Sequence, residues 1–131
     1  MSWIVAASVT LAGLGATAGS MEDIAQAYPP DLAPTRFEEA IRAFEAQDRQ
    51  TPPPADAIVL IGSSSLHFWH DTVEEDLAPL TVIPRGFGGS TFLDALHYMD
   101  RIVLPYAPRA VVVYEGDNDI AMGVPPEQVA E

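Results

Sequence analysis

Three stretches of the chain share one pattern, in which a short run of β-branched or aliphatic residues breaks into glycine and small polar residues. They are Ala57–Ser65, Leu80–Thr91 and Ala110–Asp119. Apolar runs of this length, bounded by turn residues, are typical of buried parallel strands. Loops at the carboxyl ends of such strands bind the ligands of open α/β sheets. The pattern therefore predicts three polar loops at one edge of a sheet.

The segments around these strands have apolar residues at helical spacing. Phe37, Ile41 and Phe44 predict an amphipathic helix over residues 36–48, with Thr35 as N-cap and Glu38 completing a capping box. Further helices are expected over about 66–76 and 92–103, and strands over 57–61, about 81–83 and 110–114. The alternation of strands and helices implies right-handed crossovers and a parallel sheet, so the fold class is α/β.

The chain divides into three parts: a signal-peptide-like segment (1–20), a linker with the amphipathic helix (21–55), and an α/β core (56–131). Trp3–Ala18 has no charged side chain, and Ala16-Thr17-Ala18 suits a signal peptidase, although no basic residue precedes it. We expect a periplasmic or secreted protein. The alternatives are a retained membrane anchor or buried helix, or a start at Met21 and a cytoplasmic protein.

The predicted core has few strands for a parallel sheet, which needs cover on both faces. Pro125–Glu131 is typical of the opening of another helix. We therefore expect the chain to hold the N-terminal part of a larger domain. An uncovered sheet favours association, but the sequence does not define an oligomeric state.

Charge and composition limit the classes of partner and cofactor that the protein is expected to bind. The net charge is −13, from nineteen acids against six arginines and no lysines, which disfavours nucleic acid and anionic lipid and fits a neutral substrate. Cysteine is absent, which excludes disulfides, thiolate–metal sites and a cysteine nucleophile. His67 and His70 with Asp71 are a weak metal motif, so neither a metal nor another cofactor is expected. Phe68 and Trp69 are assigned to the core.

Each polar loop has a structural and a functional interpretation. A serine among residues 63–65 either caps the following helix or presents its Oγ beside a helix N-terminus that favours an oxyanion. The loop Arg85–Thr91 is either a tight turn or a backbone N–H donor to a ligand. Asn118 either closes an Asx turn or donates its carboxamide NH₂.

Taken together, Gly62-Ser63-Ser64, Gly86-x-Gly88-Gly89 and Gly116-Asp117-Asn118-Asp119 resemble the first three blocks of the SGNH (GDSL-type) hydrolase family. Residues 36–45 resemble a helix that precedes the nucleophile block in some bacterial members. The likeness, which covers residue 36 to the C-terminus, implies a three-layer, flavodoxin-like parallel sheet.

The resemblance implies that Ser64 is the nucleophile of an acyl-enzyme mechanism. The oxyanion hole would comprise the N–H of Ser64, the N–H of Gly89 and the side chain of Asn118. The implied substrates are small esters or acetylated carbohydrates, with no nucleic acid and no stable membrane partner once the signal is removed.

Two departures from the family pattern change the activity that we expect of this chain. Pro84 stands where relatives often have asparagine, and the D-x-x-H block expected near the C-terminus, which supplies the base and its orienting acid, is not found there. Because His67, His70 and His97 are poorly placed to substitute, we expect an esterase in the full-length parent and little activity in this chain alone. The alternatives are a non-catalytic carbohydrate- or acyl-binding module and a flavodoxin-like phosphate-binding domain.

Overall fold

A computed structural model of the protein describes residues 20–33 and 35–130. The signal-peptide-like segment predicted over 1–20 lies outside these residues except for Ser20. Within the described part of the chain, no helix is long and apolar enough to span a bilayer.

The described chain alternates helices with three strands. In chain order the elements are α1 (Met21–Ala25), α2 (Glu38–Gln50), β1 (Ile58–Gly62), α3 (Ser64–Trp69), α4 (Val73–Asp76), β2 (Val82–Gly86), α5 (Phe92–Ile102), a 3₁₀ turn (Leu104–Tyr106), β3 (Ala110–Tyr114), α6 (Asp117–Ala121) and α7 (Pro126–Val129).

The strands form one parallel sheet in the order β2-β1-β3. In its register, Ile58 lies opposite Val82 on one side and Ala110 on the other. This confirms the predicted α/β class with a small parallel sheet flanked by helices, an arrangement compatible with a flavodoxin-like layout. The carboxyl ends of all three strands lie at the same edge.

Side chains of β1 alternate between two cores, as the twofold period of a strand requires. Val59 and Ile61 pack on one face with Ile41 of α2 and Tyr98 of α5, in a cluster where each is almost fully buried. On the other face, Leu60 packs with residues of α3, α4 and β2. Strands β1 and β2 therefore lie between two helical layers.

Strand β3 is less well covered than its neighbours. All five of its residues are exposed, and Val112 retains 46% of its accessible surface. The apolar run predicted the strand correctly, but the prediction that this strand is buried was wrong. Among the described residues, the packed core lies beneath β1 and β2.

The segment predicted as a linker is partly folded. Ser20 and Asp23 form a capping box at the start of α1, and Tyr28 is 7% exposed in a cluster with Leu93 and Val124. Residues 20–33 therefore pack against α5 and the segment that follows α6. The composition of the segment, rich in proline and small residues, concealed this packing.

Several predicted boundaries were wrong. Helix α2 starts at Glu38 after Phe37, with no side-chain cap, so the capping box predicted for Thr35 does not form. The helix predicted over 66–76 is instead two short helices. Asp76, the last residue of α4, accepts hydrogen bonds from Trp69 Nε1 at 2.6 Å and Thr72 Oγ1 at 2.8 Å, and the first of these ties α4 to the end of α3.

Arg85 lies within β2 and outside the polar loop to which the sequence assigned it. Its buried guanidinium forms an ion pair with Asp48 at 2.6 Å and lies 4.9 Å from the ring centroids of both Phe44 and Tyr106. Tyr106 also donates to Asp48 at 2.6 Å. The buried charge is thus paired and hydrogen-bonded, which burial of an ion requires.

Glycines let α3 lie close to the ends of the strands. A Cβ built on Gly86 would lie 2.4 Å from the backbone nitrogen of His67, and one on Gly62 would lie 2.4 Å from the carbonyl oxygen of Tyr114. These close neighbours are backbone atoms, so a side chain at either position would push the elements apart.

We predict that Gly86→Ala lowers the free energy of unfolding by about 3 kcal/mol, because α3 must move away from β2. In the matched control, Gly88→Ala, the new Cβ would have its nearest neighbours at 3.9 Å, so the loss should stay below about 1 kcal/mol. Urea denaturation of both variants measures the two effects. Equal losses would show that this close approach does not limit stability.

Candidate functional site

The candidate nucleophile Ser64 is the first residue of α3, directly after β1. Ser63 is the N-cap residue; its hydroxyl is fully buried, makes no cap bond and has no hydrogen-bond partner among the described residues. Ser64 itself is half-buried and Ser65 is exposed. Since Ser63 does not cap through its side chain, the capping interpretation of this residue was wrong.

The glycine loop after β2, residues 87–91, lies beside Ser64. Phe87 donates its N–H to the carbonyl oxygen of Gly62 at 2.9 Å, which ties the loop to the end of β1. A Cβ built on Gly88 would lie 3.9 Å from both Cα and Cβ of Ser64. Gly88 therefore neighbours the candidate nucleophile directly.

Position 89 favours glycine because of its backbone conformation and not because a side chain would clash there. Its φ is +86°, a value that L-residues other than glycine rarely adopt, while a built Cβ would meet no atom within 4 Å. Space is therefore open on the side of Gly89 where a side chain would lie.

Asn118 reaches the same loop from the other side. Gly116, with φ +117°, is the N-cap residue of α6, and Asn118 is the second residue of that helix. The Asn118 carboxamide donates from Nδ2 to the carbonyl oxygen of Ser90 at 2.8 Å. Because Nδ2 carries two hydrogens, this bond leaves one for another acceptor.

Helix α5 begins at the end of the loop with a full capping box. The Asp94 carboxylate accepts from Thr91 N at 2.9 Å and Thr91 Oγ1 at 2.7 Å, and both residues are buried. Arg36 forms an ion pair with Asp94 at 2.5 Å and donates from Nη2 to Gly89 O at 3.3 Å. A residue ahead of α2 thus helps to fix the backbone of the loop.

Asp119 joins three parts of the chain. Fully buried, it accepts a short hydrogen bond from the hydroxyl of Tyr28 and another from Phe92 N at 3.0 Å. Burial, followed by the contact with Asp119, raises the pKa of Tyr28. This carboxylate places α6, and with it Asn118, against the start of α5.

Glu115 is half-buried and lies directly after β3. Its Oε1 accepts from Ser90 Oγ at 2.6 Å, whereas Oε2 is buried with no partner among the described residues. Burial, reinforced by Asp119 and Asp117, raises the pKa of Glu115 to about 7. Ionisation of this group therefore falls near neutral pH.

The three residues predicted from the sequence, Ser64, Gly89 and Asn118, lie at one edge of the sheet. The loop of residues 88–90 bridges them, because it neighbours Ser64 through Gly88 and is bonded to Asn118 through Ser90. Their catalytic roles stay a prediction.

Sequence reasoning missed the residues that hold the loop. Arg36, Asp94 and Glu115 were not assigned to the site. The spacing of Thr91 and Asp94 is a capping-box signal visible in the sequence. In contrast, the contact of Arg36 with Asp94 joins residues 58 positions apart and has no local signal.

No histidine within the described residues is hydrogen-bonded to Ser64. His70 Nε2 accepts from Gly86 N at 2.9 Å, which satisfies the N–H of an edge strand. His67 is exposed, with its ring near Gly88. Asp94 and His97 have D-x-x-H spacing, but Asp94 caps α5 and His97 is exposed. No hydrogen bond joins either residue to Ser64 within the described residues.

The surroundings of the site are acidic and contain no preformed metal centre. Among residues 20–33 and 35–130, no three histidine or acidic side chains are arranged to hold an ion. A cavity of about 660 Å³ lies beside the edge strand β2, lined in part by Phe44, His70 and Arg85. None of the candidate residues Ser64, Gly89 and Asn118 lines this cavity, so the candidate site is separate from it.

A comparison with protein-family models found no matching family, and a search of curated proteins found no match.

The hydrogen bond between His70 and Gly86 should make the free energy of unfolding depend on pH. Burial, then the charges of His67 and Arg85, lowers the pKa of His70. Above about pH 6.5 the imidazole is neutral in both states and the bond is intact. Below that pH the unfolded chain binds a proton more readily than the folded chain, so the contribution to stability declines.

We therefore expect the stability difference between wild type and His70→Gln to be about 1 kcal/mol above pH 6.5 and to shrink as the pH falls. Urea denaturation across this range measures it. Glu115 titrates in the opposite sense but affects both proteins equally, so its effect cancels in the difference. In the control, His97→Gln, the altered side chain is exposed and the difference should be small at every pH; a pH-independent His70 effect would contradict the account.

Proposed function

We propose that the chain carries the nucleophile and oxyanion-binding groups of a serine ester hydrolase of the SGNH type. The observation that carries the proposal is the position of the glycine loop, which neighbours Ser64 on one side and accepts a hydrogen bond from Asn118 on the other. In this proposal the N–H of Ser64, the N–H of Gly89 and the Asn118 carboxamide donate to one oxyanion.

The reaction would proceed through an acyl-enzyme. The Ser64 hydroxyl attacks the ester carbonyl, its proton passes to a base, and the carbonyl oxygen gains negative charge that the three donors stabilise. The tetrahedral intermediate then expels the alcohol and leaves the acyl group on Ser64, and water hydrolyses the new ester. Losing one oxyanion donor typically costs about 2.7–4 kcal/mol of transition-state stabilisation.

Charge and exposed surface favour a neutral ester as substrate. With a net charge of −13, the protein repels anions, and Asp117 is exposed near the candidate site. Phe68 is 81% exposed, which corrects its assignment to the core. It follows Ser64 by one helical turn, so both lie on the same face of α3. Its ring offers an apolar surface to an acyl group or to the face of an acetylated sugar.

A non-catalytic acyl- or carbohydrate-binding module is the second candidate. One observation favours it: no histidine within the described residues is hydrogen-bonded to Ser64, and a serine without a base is a weak nucleophile. The flavodoxin-like phosphate-binding alternative is disfavoured by the net charge of −13, which repels a phosphate group.

Added imidazole can take the place of the base in a test of the proposal. With p-nitrophenyl acetate and imidazole, we expect acetylation of Ser64 in the full chain, measured by peptide mass spectrometry. Asn118→Ala should slow it by about 100-fold to 1000-fold, since one oxyanion donor is lost.

The matched control is Ser65→Ala, which removes an exposed neighbouring hydroxyl and should leave acetylation of Ser64 unchanged. Ser64→Ala should remove acetylation from this peptide. Saturable binding of the ester without acetylation of Ser64 would favour the binding module. Equal labelling of Ser64 and Ser65 would reject a special role for Ser64.

A further inference from the structure

The carboxyl group of Glu115 has two features that a residue at the end of a strand does not need. Its carboxyl group is largely buried, which disfavours ionisation, yet it accepts a 2.6 Å hydrogen bond from Ser90 Oγ. Its second oxygen, Oε2, is buried without a partner among the described residues. Burying an ionisable group in this way costs stability. A role of Glu115 in holding the adjoining loop would account for this cost.

Ser90 is the anchor of the glycine loop. It is fully buried, and its three polar backbone and side-chain groups are all bonded: Oγ to Glu115, O to Asn118 at 2.8 Å, and N to Phe87 O at 3.3 Å. Gly89 precedes it, has a φ of +86° and has no atom within 4 Å of the position a Cβ would take. The orientation of the Gly89 N–H therefore depends on how firmly Ser90 is held, together with the bond from Arg36 to Gly89 O.

Several charged or titratable groups face this carboxyl and its loop. They are Asp94 of α5, Asp117 and Asp119 of α6, Arg36 ahead of α2 and His67 of α3. The three carboxylates oppose ionisation of Glu115, whereas the hydrogen bond from Ser90 favours it.

We propose that Glu115 is a positioning residue, whose ionised carboxylate holds Ser90 and thereby sets the Gly89 N–H for oxyanion binding. Protonation converts a charge-assisted hydrogen bond into a weaker neutral one and loosens the loop. The catalytic consequence rests on the proposed ester hydrolysis. The coupling of Glu115 to Gly89 rests on the hydrogen bonds alone, so the two parts can be tested separately.

The coupling is tested by following the backbone amide resonances of Gly89 and Ser90 in the full ¹⁵N-labelled chain, across a pH range centred on 7. We expect both to move with one midpoint close to 7 in the wild type and to stay unmoved in Glu115→Gln. The glutamine is nearly isosteric and can still accept from Ser90 Oγ, which favours a folded variant.

Two controls exclude other titrating groups. Asp117→Asn removes a nearby negative charge, so the Gly89 titration should persist with a lower midpoint. His67→Gln should leave it in place. A Gly89 resonance that does not titrate in the wild type, or that titrates equally in Glu115→Gln, would overturn the proposal. Disappearance of the Gly89 titration in His67→Gln would also overturn the proposal.

The catalytic part is tested by imidazole-assisted acetylation of Ser64. Above the midpoint, Glu115→Gln should react about tenfold more slowly than the wild type, and the ratio should approach one as the pH falls through the midpoint. A constant ratio would reject positioning by the ionised carboxylate. If the wild type is not acetylated at Ser64, the hydrolase function fails, while the Gly89 titration still decides whether Glu115 holds the loop.

Discussion

The structure of the candidate site depends on the hydrogen bonds that hold the backbone of the glycine loop between β1 and α6. Phe87 donates to the end of β1, and Asn118 donates to Ser90. Neither bond lies within a helix or strand, yet together they tie the glycine loop to the end of β1, which precedes Ser64, and to Asn118. A short loop whose carbonyls and amides are satisfied by neighbouring elements is more rigid than its glycine content suggests.

Buried charge is concentrated around this loop. Asp94 and Asp119 are buried and accept hydrogen bonds from the backbone at the start of α5, while Arg36 neutralises one of them and also bonds to Gly89 O. Each contact joins segments distant in sequence. Two of the acids at the carboxyl edge of the sheet, Asp94 and Asp119, thus stabilise the start of α5.

The sequence predicted the strands well because buried parallel strands carry an uninterrupted apolar run, as in Ile58–Gly62. It also predicted that Ser64, Gly89 and Asn118 would share one edge, since parallel strands bring their carboxyl ends together. The start of α2 was missed: Arg36 is bonded to Asp94 rather than to its own helix, a tertiary effect that local capping signals do not contain. The folded segment around Tyr28 was missed for the same reason, since its partners Leu93 and Asp119 are remote in sequence.

The central claim is that the Ser64 hydroxyl, the Gly89 N–H and the Asn118 carboxamide surround one point in space. A crystal structure with a phosphonate bonded to Ser64 Oγ measures this most directly, because the phosphonyl oxygen stands in for the oxyanion. The account predicts that this oxygen accepts from Gly89 N and Asn118 Nδ2 at about 2.7–3.1 Å. A phosphonyl oxygen directed into solvent, with either donor beyond hydrogen-bonding distance, would contradict it.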